Sequence, residues 1–175
     1  SDRICIASKG KFQTRISTTH LVACCYECGD GCNGGELGPS FEYWQNTGLP
    51  TGGLYGDNHT CQPYPFPPCD HHVVGKYGPC PSDEYPTPQC SNNCVSGYPT
   101  PYSQDRHYAS DTYSVEREEL IQREIFTNGS VEAAFEVYED FVNYKSGVYQ
   151  HLHGQFLGGH AIKIIGWGVE NGTKY

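Results

Sequence analysis

Gly158-Gly159-His160-Ala161-Ile162-Lys163-Ile164-Ile165-Gly166-Trp167-Gly168 places one titratable imidazole at the head of an apolar run. The run is rich in β-branched residues and alternates loosely, so it reads as a strand with at least one buried face. Two glycines before the histidine let a backbone or ligand come close, with no Cβ in the way. A histidine at such a strand mouth is placed to act as a general base. The plainer alternative is a histidine satisfied within the fold.

The rest of the chain supplies the frame. Its 175 residues suit one domain, or part of one. Hydrophobic residues make up 37%, low for a self-sufficient core, while Gly (21), Pro (12) and Tyr (14) are abundant. That balance predicts long ordered loops more than packed helices. A formal charge of −9 argues against nucleic-acid binding, which needs a basic face. It fits a secreted protein or one working at acid pH. No apolar run approaches the length of a membrane span.

Ten cysteines lie at positions 5, 24, 25, 28, 32, 61, 69, 80, 90 and 94. Zinc would suit Cys25-x-x-Cys28, but no second tight pair follows, so no metal is expected. Disulfides in an oxidising compartment account better for thiols scattered through Pro/Gly loops. Three N-glycosylation sequons, at Asn58, Asn128 and Asn171, point to the same compartment.

Along the chain, Ser17-Thr18-Thr19 looks like a helix start, with His20 to Ala23 as a short turn leading into Cys24-Cys25. Cys28-Gly29-Asp30-Gly31-Cys32-Asn33-Gly34-Gly35 can be neither helix nor regular strand, and offers bare backbone to something extended. Residues 36–47 read as a helix, with Leu37, Phe41 and Trp44 on one face and Gly48 as its end. From Gly52 to Pro101 periodicity nearly vanishes, and five cysteines are there to staple the segment. Residues 114–127 form a second helix candidate capped by Ser114. Val131 to Val137 alternates as a strand, Asp140 to Gly147 is a turn or short helix, and a strand is predicted near Val148-Tyr149. The class is α+β. Both ends are expected to be cuts through a larger protein; Asp2-Arg3-Ile4-Cys5 reads as neither signal peptide nor capped helix start.

Several stretches together resemble the cathepsin B-like cysteine peptidases of the papain family. They are Ser1–Ile6, Cys24-Cys25, Cys28 to Gly35, Gly52-Gly53-Leu54-Tyr55, Pro67-Pro68-Cys69-Asp70-His71-His72, Tyr144 to His151, and Gly158 to Thr173. The adjacent histidines in a cysteine-closed loop are the most specific part. The resemblance implies an incomplete papain-like fold. Residues 1–101 would be the remainder of a helical left part carrying an occluding loop at 69–80. Residues 102–175 would be a β-rich, barrel-like right part, with the active site in a cleft.

The roles it implies are these. His160 matches the histidine of a Cys–His pair, in which the imidazolium drops a thiol pKa from about 8.5 to as low as about 3–4. His71 and His72 match loop histidines that hold a substrate's C-terminal carboxylate and give peptidyl-dipeptidase activity, a contact suited to imidazolium. Gly34 and Gly35 match the wall that bonds the substrate backbone. Leu37, Ala134 and Ala161 fall at positions lining the S2 pocket, with Gly159 beside them. Phe156 and Leu157 fall near the primed side. The family's pairing gives disulfides Cys24–Cys90, Cys25–Cys28, Cys61–Cys94 and Cys69–Cys80, leaving Cys5 and Cys32 for partners upstream.

Further implications are peptide or protein substrates, the enzyme's own propeptide and cystatin-type inhibitors as partners, a monomer, no cofactor, and lysosomal or secreted location. The nucleophilic cysteine and the oxyanion-hole glutamine would precede Ser1, and the asparagine that orients the histidine would follow Tyr175. The chain alone is therefore expected to be inert. Tyr77 stands where a basic loop-anchoring residue is common, and Ser130 replaces a proline, creating the sequon at Asn128. The rival reading is an inactive homologue retained as an extracellular binding protein. A thiol reactive at acid pH separates the two.

Overall fold

The computed structural model describes residues 1–71 and 73–175. In chain order the main elements are helices α1 (Asp2–Ala7), α2 (Thr18–Cys24), α3 (Leu37–Asn46) and α4 (Glu118–Asn128), then strands β1 (Val131–Tyr138), β2 (Phe156–Ile164), β3 (Val169–Glu170) and β4 (Thr173–Lys174). They group into two compact units. The first holds Ser1 and Gln13–Tyr113; the second holds Asp2–Phe12 and Ser114–Tyr175.

In the first unit, Ser17 caps α2: its Oγ accepts from the N–H of His20 at 3.1 Å. Helix α3 tolerates Pro39 because its missing N–H falls among the donors left free in a first turn. The helix ends on Gly48 at φ +78, where a Cβ would press on the Tyr108 ring. Trp44 is anchored by its indole N–H, which donates to the carbonyl of His107 at 2.9 Å. The remainder is loop, joined by single bridges at Ile16–Thr51 and Leu49–His107.

Apart from Gly48 and Gly52, its buried residues are few and rich in sulfur and polar groups: Ser17, His20, Ala23, Cys24, Cys25, Cys28, Leu49, Pro50, Cys61 and Asp105. Four disulfides hold the loops: Cys24–Cys90, Cys25–Cys28, Cys61–Cys94 and Cys69–Cys80. Cys5 and Cys32 are unbridged. The Asp105 carboxylate gathers three hydrogen bonds, from Thr51 N (2.7 Å), Thr51 Oγ1 (2.8 Å) and the Tyr98 hydroxyl (2.7 Å). Asp105→Asn should cost about 2 kcal/mol in urea unfolding, because hydrogen bonds to a charged acceptor become weaker neutral ones. A loss below about 0.5 kcal/mol would contradict that assignment.

The second unit is built on the antiparallel β1–β2 pair, in register from Val131↔Ile164 to Val137↔Gly158, with an irregularity before Tyr138↔Phe156. Along β1 the half-buried residues are Val131, Ala133, Phe135 and Val137, the alternation visible in the sequence, and Tyr138 past the irregularity. Helix α4 departs from expectation at its start. It begins at Glu118 and not behind Ser114, because Arg117 takes φ +69 and breaks the helical path. Glu118 and Glu119 lie in the first turn, the end of the helix that favours negative charge.

Helix α1 has no local start signal. Arg3 docks it onto the end of α4, donating to Ser130 O (2.8 Å), Gly129 O (3.4 Å) and Glu124 Oε1 (2.8 Å). The strand expected near Val148-Tyr149 is absent; the Tyr149 hydroxyl instead donates to Asp140 at 2.6 Å, holding the segment as a loop. A short hairpin, β3–β4, turns on Asn171-Gly172 at φ +50 and +82, values that suit an Asn-Gly turn. No helix among the described residues is long and apolar enough to cross a membrane.

Candidate active site

His160 lies in β2 directly across from Phe135. The two rings meet nearly edge to face, centroids 5.9 Å apart. Phe135 is braced in turn by Phe141 at 5.2 Å, and Phe141 by Tyr149 at 4.9 Å. This aromatic row rests on Asp140. Its carboxylate accepts from the N–H of Leu152 (2.8 Å) and of His153 (3.2 Å), from the Tyr149 hydroxyl, and from the imidazole Nδ1 of His151 (3.1 Å). These donors, the Leu152 amide foremost, hold the Asp140 carboxyl well below the usual carboxylate range. Withdrawal from water and the bond to Asp140 push the Tyr149 phenol up to about 12. A chain of ring contacts thus links Asp140, through Tyr149, Phe141 and Phe135, to His160. Gly158, two residues before it, takes φ +149, a conformation that side chains rarely adopt.

The opposite face of the same sheet holds other candidates. Ala134 pairs directly with Ala161, and Gly159 lies across from Glu136; all four are exposed. Alternation therefore separates His160 from Gly159, Ala134 and Ala161, which share one face. Phe156 and Leu157 are exposed at the start of β2.

In the first unit, Gly34 and Gly35 form a strand-like pairing with Gly29. Asp30 N donates to Gly34 O (2.9 Å), and Glu36 N donates to Cys28 O (2.7 Å). In this pattern the N–H and C=O of Gly35 point away from Gly29 and lie open to an extended chain. Close packing demands glycine: a Cβ on Gly29 would sit 2.4 Å from Gly34 O, and one on Gly35 2.4 Å from Cys28 O. Half-buried Leu37 follows at the start of α3.

The loop closed by Cys69–Cys80 is organised by Asp70. Its carboxylate accepts from Tyr77 N (2.6 Å) and Gly78 N (2.7 Å), and its own N–H donates to Gly78 O (2.7 Å). His71 is exposed on this loop; His72 lies outside the described residues. Cys61, Cys94 and Asp105 approach one another as metal ligands do, but the two sulfurs are bonded to each other and cannot both serve a metal.

Sequence reasoning passed over His20. It is buried, 1% exposed, at the centre of a polar cluster. Gln62 spends its amide N–H groups on Ser91 O (2.7 Å) and Asn93 O (3.0 Å), so its oxygen faces His20 Nδ1 at 3.0 Å. Nδ1 therefore carries the proton, and Nε2 accepts from the Tyr43 (3.3 Å) and Tyr102 (3.2 Å) hydroxyls. A histidine at the third turn residue after a capping serine, four before Cys24, was the available signal.

Comparison with known proteins adds the family. The sequence profile of the papain family cysteine proteases matches residues 1–175. A cathepsin B-like cysteine proteinase of Schistosoma japonicum is 55% identical over 177 residues, covering 100% of this chain and 52% of that protein. Cathepsin B-like cysteine proteinase 6 of Caenorhabditis elegans is 50% identical over 178 residues, 100% of this chain and 47% of its own length. The solved structure of proCathepsin B S9 from Trypanosoma congolense superposes with a TM-score of 0.78 at 39% identity, covering 100% of this chain and 52% of that one. The chain spans about half the length of the curated relatives it matches. It has the α+β, papain-like fold of that neighbour in incomplete form.

Proposed function

The chain belongs to the papain family of cysteine proteases, and from that premise we propose that the protein carrying it is a cathepsin B-like peptidase in which His160 is the acid–base group. The observation that carries this reading is a histidine set in a braced strand behind two glycines, in a chain 55% identical along its whole length to a cathepsin B-like proteinase.

In this reaction His160 takes the proton of a cysteine thiol, and the thiolate sulfur bonds to the carbonyl carbon of the scissile peptide. The imidazolium then gives its proton to the leaving amine as the C–N bond breaks, and water, activated by the same imidazole, releases the acyl group. Phe135 and the anchor at Asp140 limit how far the ring can swing. The open N–H and C=O of Gly35 suit antiparallel bonding to a substrate backbone, with Gly34 supplying the bend and Leu37 an apolar contact. Ala134 and Ala161, small and paired, leave room for a substrate side chain beside Gly159. His71 and His72 on the disulfide-closed loop would receive a C-terminal carboxylate, giving dipeptide removal beside internal cleavage. Four disulfides in so small a core support a lysosomal or secreted site of action. Propeptide and cystatin-type proteins are the expected inhibitory partners.

The test is hydrolysis of a blocked peptide amide by the intact protein that carries this chain. His160→Ala should lower kcat/KM by at least about 100-fold while a thiol-directed inhibitor abolishes the wild-type rate. Unchanged turnover in the variant sinks the assignment of His160. A wild-type protein with neither turnover nor a thiol reactive at acid pH would be the inactive, binding homologue.

A further inference from the structure

Of the three sequons in the chain, the fold uses two for its own purposes. Asn128 closes α4: its side-chain amide donates to Glu124 Oε1 at 3.0 Å, and the Ser130 hydroxyl donates to Asp2 Oδ2 at 3.1 Å. Asn171 takes φ +50 at the tip of the β3–β4 hairpin, a turn role that asparagine fills without any modification. Asn58-His59-Thr60 has no such account.

This stretch follows a turn from Leu54 to Asp57, closed by Asp57 N donating to Leu54 O at 3.1 Å, with Gly56 at the φ +79 that a type II turn demands. Asp57 Oδ1 then accepts from His59 N at 2.8 Å and carries the chain on. Asn58 stands exposed between them, and its side chain makes no hydrogen bond among the described residues. Thr60 is the odd member. Its Oγ1 is shut away from solvent with no hydrogen-bond partner among the described residues. Burying a hydroxyl unpaired is costly, and a methyl in its place would serve the fold at least as well. The fold therefore explains neither the amide of Asn58 nor the hydroxyl of Thr60, whereas a modifying enzyme that reads Asn-x-Thr needs both.

We propose that Asn58 is an attachment site for an N-linked glycan. The inference rests on the lysosomal or secreted location proposed above and is independent of the peptidase reading. The donor is an oligosaccharide carried on a lipid diphosphate. Nδ2 of Asn58 bonds to the anomeric carbon of its first N-acetylglucosamine as the bond from that carbon to the diphosphate oxygen breaks. The lipid diphosphate leaves with the electron pair, and Nδ2 gives up one of its two protons. The hydroxyl of Thr60 is read on the nascent chain, so its later burial is no obstacle. Asn58 has to stay outside the finished fold, and it does. The glycan also has a surface to lie on: Leu54 and Tyr55, 67% and 54% exposed, shortly precede Asn58. Apolar faces of sugars pack on such side chains, and a bulky hydrophilic glycan covers what the chain leaves bare.

The test is peptide mapping of the intact protein that carries this chain, secreted from a eukaryotic host and treated with peptide N-glycosidase in heavy-oxygen water, which turns a glycosylated asparagine into a labelled aspartate. Asn58 should be labelled in most molecules. Thr60→Val should abolish that label and leave the other sequons as they were, while Thr60→Ser should keep it. After glycan removal, the urea midpoint of Thr60→Val should be no lower than that of the wild type, because the hydroxyl it loses is idle in the fold. Asn58 bare while the four disulfides have formed overturns the site. Asn58 bare with the disulfides unformed overturns the oxidising-compartment reading, and the site with it. A label that survives Thr60→Val is not glycosylation and overturns the proposal; a lowered midpoint overturns the claim that Thr60 serves only the sequon. Should Thr60→Val fail to be secreted, the wild-type map decides alone.

Discussion

Serine at both Cys24 and Cys90 is expected to lower the unfolding free energy of the chain by about 4 kcal/mol, on the loop-closure account of cross-links. The bridge spans a sequence separation of 66, the longest of the four. Inside that loop lie the Gly34–Gly35 segment, α3, and the cysteine-closed loop at 69–80. The unit has few apolar residues to hold these parts: Ala23 and Leu49 are buried, but much of the rest of its interior is cysteine, serine, histidine and aspartate. Small domains have about 5–15 kcal/mol of stability in all, so this one bond is a large fraction of it. Urea unfolding under non-reducing conditions, with peptide mapping to show the other three bridges intact, measures the effect. Opening Cys25–Cys28, a separation of 3, should cost much less by the same logic. If both losses were alike, the entropic account would fail here.

The second large effect concerns acid. Burial holds the His20 imidazole below its ordinary pKa of 6.5, the bond to Gln62 opposes this, and the nearby Arg106 guanidinium adds to the lowering. The neutral ring is satisfied on both nitrogens; the cation would have to turn the tyrosine hydroxyls around with Arg106 close by. The sign follows from proton counting. Above pH 6.5 folded and unfolded chains both hold His20 neutral. Below it the unfolded chain gains a proton and the folded one does not, so stability falls with pH until the folded pKa is passed. Within that window the loss is at most about 1.4 kcal/mol per pH unit. Urea unfolding at closely spaced pH values from 7 downward should show stability falling below pH 6.5 in the wild type and a shallower fall in His20→Gln. Identical slopes would mean that His20 titrates alike in both states. Asp140 acts in a separate window: its lowered pKa adds stability above the ordinary carboxylate range that is lost as pH falls through it.

Part of this was legible in the chain before any coordinates. The strand 131–137 announced itself by alternation, and α3 by its face and terminal glycine. Other features hid because their causes lie far along the sequence. Helix α1 is six residues, too short to stand alone, and its anchor Arg3 bonds partners more than 120 positions away. Val148-Tyr149 has strand composition, yet the segment is loop, tied to Asp140 through the Tyr149 hydroxyl, because no strand among the described residues pairs with it. The β3–β4 hairpin is legible in Asn171-Gly172, a turn pair that also opens a sequon.

By itself the sequence determined the family and the α+β class, because cysteine spacing, the paired loop histidines and the Gly-Gly-His strand are local patterns that survive without a partner. Only the tertiary structure decided which side chains meet. Register set His160 against Phe135 and put the Ala134–Ala161 pair with Glu136 on the other face, since sliding a strand by one residue would exchange the two faces. Packing likewise joined positions 20, 43, 62 and 102 into one buried cluster. Those contacts depend on chain closure over long loops, which no spacing along the sequence encodes.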